Sequence, residues 1–539
     1  MTPASGGILV RRVAAPLAVI GTITAAVLHI VFCTHAGALW RDEVNSLNLA
    51  TVNTLSELWA NLSFDSFPVS FFIVLRLFAG VPATVSDMEL RIFGAVIGLL
   101  ILAALWLNAR WLGFRVPLIS VALVGVNPMV IRYGDSIRAY GLGILLVLLC
   151  VGTMWRFVVE GSWTRFVSAL VAAVLSVQCL YYNSFLLFAI CMGASAVCLR
   201  RRDYRRIAMI LSIGIVAAAS LIVYLPTIRE VGKTNIFWKG DFTVSLFWKK
   251  LSETLGSPIV GTEWLWIGLF FFALIAGSWF LFARVKGASP LLEKDLLLFS
   301  LITLLVGTVG YITFLFYLSY MTQPWYYVVF VAFIGSCLEA IVGAFPGRSW
   351  ALRGSVAVLL IGLTAQPAWV ALQFRQTNID AIASELEASA ATDDLILVNT
   401  WNYAIPLRRY YHGNTTCATV PPIADLRWHR MDLVYQQVFA RAPMAPVLNR
   451  MEETLRAGHT IWLIGALKLL PPGQTPLQRE PGQGGFYRAW SEQAGSLVAN
   501  HADELVRIQP PIKNEAVIYE NLPLSAIRGW HETGGLTVR

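Results

Sequence analysis

Charged residues are scarce in this chain of 539 residues, in which Asp, Glu, Lys and Arg together make up 14%. Hydrophobic residues account for 57% of the chain, and the mean hydropathy is +0.64. Soluble enzymes do not have this composition. Apolar segments also recur as far as residue 372, which a single cleaved signal peptide does not explain. The scarcity of charge therefore predicts a polytopic membrane protein.

Paired cysteines and several common catalytic motifs are also missing. The seven cysteines show no CxxC spacing and mostly lie inside apolar runs, which argues against a disulfide framework or a thiolate metal site. There is no Gly-rich phosphate loop, HExxH or GxSxG motif, so nucleotide-driven pumping and serine hydrolysis lack support. The net charge of +9 sits in short clusters between hydrophobic segments, where membrane topology explains it. We expect no nucleic-acid partner.

Long apolar segments are what the chain does contain, and about 11 of them have the length of a membrane span. They cover residues 14–32, 90–108, 116–130, 139–155, 166–180, 185–199, 207–224, 265–282, 296–316, 326–345 and 356–372. The stretch 67–78 is shorter and carries Arg76, so we expect an interfacial or re-entrant helix there.

Basic residues are distributed unequally between the two sets of connections. The connections on the same side of the membrane as the amino terminus hold 16 basic and 4 acidic residues. Those on the other side, up to residue 263, hold 9 basic and 11 acidic residues. The positive-inside rule then places the amino terminus in the cytoplasm. An odd number of spans places the carboxyl terminus outside the inner (plasma) membrane.

The composition changes near residue 373 to that of a globular domain. Periodicity predicts helices at 379–389 and 444–457 and buried strands at 394–399 and 460–464, an alternation that favours an α/β layer domain. We therefore expect a transmembrane domain at 1–372, with outer loops at 34–89 and 225–264. An extracytoplasmic α/β domain is expected at 373–539.

Polar residues of the membrane half gather in the connections predicted to lie outside. Asp42 and Glu43 form an acidic pair just after the first span, where they either cap a helix or take part in chemistry. Carboxylates opposite basic residues suit a phosphate-bearing substrate, although ordinary interfacial ion pairs would explain any single pair. The other charged candidates are Asp65, Arg91, Asp135, Arg138 and the basic residues of the second loop, which include Lys233 and Lys239.

Four local patterns resemble the C-type glycosyltransferases, the broad family that contains protein O-mannosyltransferases and the aminoarabinose transferase of lipid A. These are the acidic pair after the first span, Phe64-Asp65-Ser-Phe67-Pro68-Val69 leading into Glu89-Leu-Arg91, Asn127-Pro128 followed by Asp135-Ser-Ile-Arg138-Ala-Tyr140, and Asp394-Leu-Ile-Leu-Val-Asn399 followed by Leu407-Arg-Arg-Tyr-Tyr411. The resemblance covers the membrane half well and the terminal domain loosely.

The chain departs from the family pattern at several positions. Phe67 replaces the histidine of the Asp-x-His-Pro-Pro motif, Val69 replaces its second proline, and Ser136 stands where a glutamate is usual. Trp325-Tyr326 replaces an Arg-Tyr pair, and these rings serve either as membrane-belt anchors or as contacts to a sugar or prenyl chain. The resemblance thus implies the reaction class but not the sugar, the acceptor or a metal requirement.

The resemblance implies inverting transfer of a hexose or pentose from a polyprenyl-phosphate donor to an extracytoplasmic glycan, lipid or protein. Membrane lipids would surround the enzyme. Asp42, Glu43 and Asp135 are the catalytic candidates, and Asp42 and Glu43 would also hold any divalent cation, Mg or Mn. The candidates for binding the donor phosphate or the substrate are Asp65, Arg91, Arg138, Lys233, Lys239, Tyr140 and Tyr326. One alternative is a lipid-linked-glycan flippase without bond chemistry; another is a catalytically silent relative that binds glycolipid.

Overall fold

The computed structural model describes residues 3–82, 84–234, 239–240, 242–256, 261–282, 291–345, 349–471, 474–478, 484–508, 517–532 and 536–539. Three of the basic residues assigned to the cytoplasmic side, Arg284, Lys286 and Arg348, lie outside these ranges. Within them the chain forms a helical membrane half followed by an α/β domain, as the sequence predicts.

The membrane half contains seventeen helices in the described residues. They are α1 Pro3–His35, α2 Arg41–Ala50, α3 Leu55–Ala60, α4 Val69–Ala79, α5 Asp87–Trp111, α6 Leu118–Ser120, α7 Pro128–Gly134, α8 Ala139–Glu160, α9 Trp163–Val177, α10 Asn183–Arg200, α11 Tyr204–Ala219, α12 Leu225–Lys233, α13 Val244–Gly256, α14 Thr262–Phe282, α15 Leu291–Leu318, α16 Val328–Gly343 and α17 Ser349–Leu372. A short helical turn, Ile222–Tyr224, makes α11 and α12 continuous.

Eight of the described helical segments are long and apolar enough to cross a membrane. The spans predicted at 166–180 and 326–345 fall on the shorter apolar helices α9 and α16. All residues of α16 from Val328 to Val342 are buried, so this helix is surrounded by protein rather than lipid. The total of about 11 spans stays a prediction.

The span predicted at 116–130 is not a continuous helix, and that prediction is wrong. The chain forms α6, a wide helical turn at Val121–Gly125, and then α7. Pro128 cannot donate to a preceding turn, and the Asn127 side chain instead accepts hydrogen bonds from the amides of Met129 and Val130. Such a break is tolerated at membrane depth because the segment is buried within the bundle.

The expected short helix at 67–78 is α4, which packs against α2. Arg76 of α4 donates hydrogen bonds to the carbonyls of Ala50, Val52 and Asn53 at the end of α2. These bonds satisfy carbonyls that the helix end leaves without a partner. Arg76 thereby holds α2, which carries Asp42 and Glu43, against its neighbour.

The carboxyl-terminal domain has a mixed six-stranded sheet in the order β3-β2-β4-β7-β5-β8, and β1 pairs with β6 separately. The strands are β1 Arg375–Thr377, β2 Leu395–Asn399, β3 Thr416–Val420, β4 Ile461–Ile464, β5 Glu504–Ile508, β6 Val517–Glu520, β7 Leu524–Arg528 and β8 Thr537–Val538. The helices are α18 Ile379–Ser389, α19 Ala404–Tyr410, α20 Met431–Phe439, α21 Ala445–Arg456 and α22 Gly485–His501. The two predicted strands are β2 and β4, which pair in parallel and are buried along their length.

The two halves of the chain are in direct contact at the start of α2 and the start of α5. The backbone amide of Gln376 donates to the carbonyl of Ala36, which lies between α1 and α2, with a nitrogen–oxygen distance of 2.8 Å. Arg409 and Tyr410 of α19 bind the two carboxylate oxygens of Asp87, the first residue of α5. The carboxyl-terminal domain therefore lies at the end of the bundle that carries the acidic pair.

Candidate functional site

The acidic pair lies in the first turn of α2, where the helix amides favour negative charge. Glu43 caps its own helix, since its Oε2 accepts a hydrogen bond of 3.1 Å from the Trp40 amide. Asp42 precedes it by one position and points in another direction, so the two carboxylates have different neighbours.

Glu43 is completely buried and both of its oxygens are occupied. Arg91 of α5 donates to Oε1 at 2.7 Å and to Oε2 at 3.0 Å, and the Ile137 amide donates to Oε1 at 2.9 Å. Arg91 also donates to the carbonyls of Gly37 and Ala38. Glu43 and Arg91 thus join the start of α2, the start of α5 and the loop before α8, and neither is open to a substrate.

Asp42 has one oxygen held by basic side chains and one that is open. Its Oδ1 lies 3.4 Å from the Arg41 Nε and 3.7 Å from the His429 Nε2. Among the described residues no group donates a hydrogen bond to Oδ2. Burial opposes ionisation of this carboxyl, but Arg41, Arg138 and His429 hold its pKa below the usual value. Asp42 is therefore ionised at neutral pH.

Arg138 and Asp65 form a second ion pair directly beside Asp42. Nη1 of Arg138 donates to the Asp65 Oδ2 at 2.7 Å, to the Ser46 hydroxyl at 2.7 Å and to the Asp42 carbonyl at 3.0 Å. Oδ2 of Asp65 also accepts from Ser46 and Asn45, and its Oδ1 accepts from the Ser66 backbone amide, so both oxygens have donors. Nη2 of Arg138 makes no hydrogen bond within the described chain, and its buried Nε has no partner there either.

Aromatic rings surround this guanidinium. It lies 4.4 Å from the centroid of Phe67, the residue that replaces the motif histidine, and Tyr140 packs edge-on against the same ring at 5.3 Å. Tyr140 and Tyr326 both interact electrostatically with Arg138, Asp42 and Asp65. Trp325 packs against Trp40, the residue before Arg41, with ring centroids 5.4 Å apart.

Asp135 lies apart from this cluster, inside the bundle. Its Oδ2 is 2.7 Å from Nδ1 of His29 in α1, and both side chains are buried. A Cβ at Gly98 of α5 would overlap both the Asp135 side chain and the His29 ring, and a Cβ at Gly94 would overlap the Asp135 carbonyl. Two glycines of α5 thus make room for the loop that leads from Asp135 to Arg138.

The two lysines proposed from the sequence do not join the cluster. Lys233 ends α12 with its side chain 66% exposed and pairs with Glu230 of the same helix. Lys239 is exposed, and its backbone pairs with Tyr320. Among the described residues, the structure brings together Asp42, Glu43, Asp65, Arg91, Arg138, Tyr140 and Tyr326 and leaves out Asp135, Lys233 and Lys239.

Sequence reasoning missed three residues beside Asp42, namely Arg41, His429 and Glu520. Glu520 ends β6 with its Oε1 3.1 Å from the Arg41 Nε. Burial raises its pKa to about 7, an effect that Arg41 opposes and Asp42 reinforces. His429 and Glu520 lie almost 400 and 480 positions from Asp42 in the chain. The run Arg427-Trp428-His429-Arg430 is a local signal for His429, and Glu520 has none.

The described residues do not provide a ligand set for a divalent cation. No group of three or more His, Cys, Asp or Glu side chains in the described part of the chain is arranged to hold a metal ion. Glu43, one of the two proposed ligands, already accepts from Arg91 and two backbone amides. Of these two proposed ligands, Asp42 is the one with an oxygen that accepts no hydrogen bond from the described residues, so the pair supplies at most one protein ligand.

Several solved structures are similar to this chain over most of its length. ArnT from Cupriavidus metallidurans bound to undecaprenyl phosphate is 14% identical with a TM-score of 0.47, over 83% of this chain and 92% of ArnT. The apo oligosaccharyltransferase of Archaeoglobus fulgidus is 11% identical with a TM-score of 0.49, over 95% of this chain and 76% of that protein. Arabinosyltransferase EmbB from Mycobacterium smegmatis is 12% identical with a TM-score of 0.38, over 86% and 45%. No protein-family model and no curated protein sequence matches the chain. Because one fold supports many activities, function must be argued from the site itself.

Proposed function

We propose that this chain is an integral-membrane glycosyltransferase that transfers a sugar from a polyprenyl-phosphate donor to an extracytoplasmic glycan, lipid or protein. The observation that carries the proposal is the position of Arg138 beside Asp42, whose backbone carbonyl it binds. An ionised carboxylate with a free Oδ2 stands beside a buried guanidinium whose Nε and Nη2 have no partner among the described residues. The first group suits an acceptor hydroxyl and the second a phosphate.

The reaction we propose is a single displacement at the anomeric carbon. The acceptor oxygen attacks this carbon and transfers its proton to Oδ2 of Asp42. The bond from the carbon to the phosphate oxygen breaks, and the phosphate keeps the electron pair. Arg138 neutralises the charge that develops there, and one displacement inverts the configuration.

The surroundings of Arg138 support this assignment. Asp65 and Ser46 hold Nη1, so the guanidinium keeps its orientation while its other edge is open to a phosphate. The buried Phe67 ring packs against the guanidinium, and Tyr140 packs against Phe67, so this side of Arg138 is shielded from water. Arg91 connects the site to the second turn of α5, a helix long enough to span the membrane, so the donor's lipid tail can stay in the bilayer.

Two rival functions share part of this geometry. A lipid-linked-glycan flippase would need the phosphate-binding arginine but not a carboxylate with a free oxygen. A catalytically silent relative would bind glycolipid without turnover. The unpartnered Oδ2 of Asp42 favours the transferase over both.

The decisive experiment uses the purified full chain in proteoliposomes. The donors are undecaprenyl phosphates carrying radiolabelled mannose, glucose or arabinose, and the acceptor is envelope extract from a strain lacking the gene. Label appearing in envelope material, with release of undecaprenyl phosphate, supports the transferase. Movement of the labelled donor across the bilayer without bond cleavage supports the flippase. Donor binding without either supports the silent relative.

A matching experiment in cells identifies the product. Mass spectrometry of the envelope glycans, lipids and proteins from a deletion strain should show a sugar residue missing, and the gene should restore it. An unchanged envelope composition contradicts the proposal.

A further inference from the structure

We infer that His429 is a positioning residue through which the carboxyl-terminal domain sets the orientation of Asp42. This inference rests on the proposed function. It gives the carboxyl-terminal domain a role in the reaction. The supporting observations are the place of His429 beside Asp42, its unpartnered ring nitrogen and the contacts that hold it there.

His429 faces the oxygen of Asp42 that the substrate does not need. Nε2 of His429 lies 3.7 Å from Oδ1, and Arg41 approaches the same oxygen from its own helix. Nε2 is buried and has no hydrogen-bond partner in the described part of the chain. With the ring proton on Nε2, the imidazole presents a donor to Oδ1. The carboxylate is then turned so that Oδ2 points to the open side.

The segment around His429 is held against α2 by several independent contacts. The His429 amide donates to the Asn45 Oδ1 at 2.8 Å, and Asn48 donates to the Arg427 carbonyl at 2.8 Å. Trp428 stacks on Phe64 with centroids 5.7 Å apart. This segment is therefore joined to α2 at His429 itself and at Arg427, which gives the imidazole a defined position relative to Asp42.

The ring itself is supported from within the carboxyl-terminal domain. Trp401 contacts it edge-on, with the two ring centroids 6.3 Å apart. Trp401 is buried behind it and donates a hydrogen bond to the Tyr487 hydroxyl. Packing restricts the orientation of the His429 ring, and a fixed ring beside the carboxylate in turn restricts the orientations of Asp42.

The test compares two variants at this position. His429→Phe keeps a ring against Trp401 but removes the nitrogen, whereas His429→Gln restores a nitrogen donor at about the same reach. We expect His429→Phe to lower kcat by about 10- to 100-fold with the KM for the donor within about twofold. His429→Gln should recover activity to within about fivefold of the natural chain. His412→Gln, at an exposed position of the same domain, is the control.

The outcomes separate this inference from the proposed function. If the natural chain transfers none of the labelled sugars, the proposed function fails. If it transfers sugar and His429→Phe is as active as His412→Gln, only the role of His429 fails. A third outcome is that His429→Phe and His429→Gln are equally impaired, although both melt at the same temperature as the natural chain and bind undecaprenyl phosphate. The nitrogen then has no positioning role, and the inference is overturned. If His429→Phe misfolds, His429→Gln decides the question alone. It must remain active if a nitrogen donor at this position is what orients Asp42.

Discussion

Asp42 and Glu43 show how two adjacent carboxylates acquire different tasks from their surroundings. Glu43 accepts hydrogen bonds from Arg91, Trp40 and Ile137 and so stabilises the join between three segments. Asp42 lies beside the cations Arg41 and Arg138 and the imidazole of His429, and one of its oxygens accepts no hydrogen bond from the described residues. Neutralising Glu43 would leave Arg91 as an unpaired buried charge, whereas neutralising Asp42 removes a reacting group.

Asp42→Asn should reduce sugar transfer by about 10²-fold or more, because the amide keeps the shape of the side chain but cannot accept the proton. Transfer of labelled sugar from the undecaprenyl-phosphate donor measures this, alongside melting temperature and donor binding, both of which should be little changed. Asp203→Asn is the matched control, since Asp203 caps α11 through the Arg206 amide and Asn can do the same. Turnover within a few-fold of the natural chain would mean that Asp42 is only a helix-boundary residue.

Glu520 should make stability fall as the pH rises. Burial raises its pKa from 4.5 to about 7 in the folded chain. Between these values the folded chain holds a proton that the unfolded chain has lost, so the free energy of unfolding decreases across this window by up to about 3 kcal/mol. Glu520→Gln should remove most of that decrease. Melting temperatures from pH 4.5 to 8 test it, with the exposed Glu453→Gln as control. Parallel curves for the natural chain and Glu520→Gln would contradict the prediction.

The residues that sequence patterns did identify are those with a strong local signal. An acidic pair directly after a span stands out in an apolar chain, and so do Asp65 and Arg138 within their motifs. The different fates of Asp42 and Glu43 depend on Arg91 and His429, which are far away in the chain, and no local pattern encodes that choice. The prediction that Lys233 and Lys239 bind the substrate depends on their charge alone. A charge in the sequence does not show that Lys233 forms its ion pair within its own helix.

At the scale of elements, α5 connects the site to the bundle. Its first turn binds the carboxyl-terminal domain through Asp87, its second turn holds Glu43 through Arg91, and its two glycines admit the loop that ends at Arg138. The position of Arg138 therefore depends on a helix surface that contains no reactive group.

Gly94→Ala should lower both activity and melting temperature, because the added methyl would overlap the backbone carbonyl of Asp135 and displace the loop leading to Arg138. Overpacking of this kind costs about 1–3 kcal/mol. Gly268→Ala in α14 is the control, since a Cβ there meets no atom within 4 Å. Sugar transfer and thermal melting in detergent measure both effects. Equal behaviour of the two variants would show that the loop tolerates the displacement.

Elements with a clear period were predictable, and the exceptions have physical causes. The helix at 379–389 and the strands β2 and β4 follow from apolar periodicity and composition. The break in the segment 116–130 could not be predicted in this way, because hydropathy shows only that its residues are apolar. Its irregular backbone depends on partners elsewhere, such as Glu339, which accepts a hydrogen bond from the Ser120 amide and pairs with Arg353.

At the scale of the whole molecule, the two halves share one site although their sequences differ in character. The membrane half supplies Asp42 and Arg138, and the carboxyl-terminal domain supplies His429 and Glu520. This arrangement requires the domain to lie on the same side of the membrane as α2. That this side is extracytoplasmic stays a prediction from the charges.

Cysteine labelling should show opposite sidedness for the two ends of the bundle. Cys417 of β3 is naturally exposed, and Arg205 is exposed in the basic cluster between α10 and α11. A membrane-impermeant maleimide added to intact spheroplasts should modify Cys417. It should leave Arg205→Cys, in a Cys417→Ala background, unmodified until the membrane is opened. Labelling of both from one side would contradict the topology and the extracytoplasmic site.

The long separation between Asp42 and its partners has a consequence for biosynthesis. Arg41 and Glu520 are 479 residues apart in the chain. While the ribosome is still translating the carboxyl-terminal domain, the acidic pair can already be in the membrane without His429 or Glu520 beside it. A nascent or truncated chain would thus hold Asp42 without the residue that positions it, and full activity would arise only after the carboxyl-terminal domain has been translated and has docked.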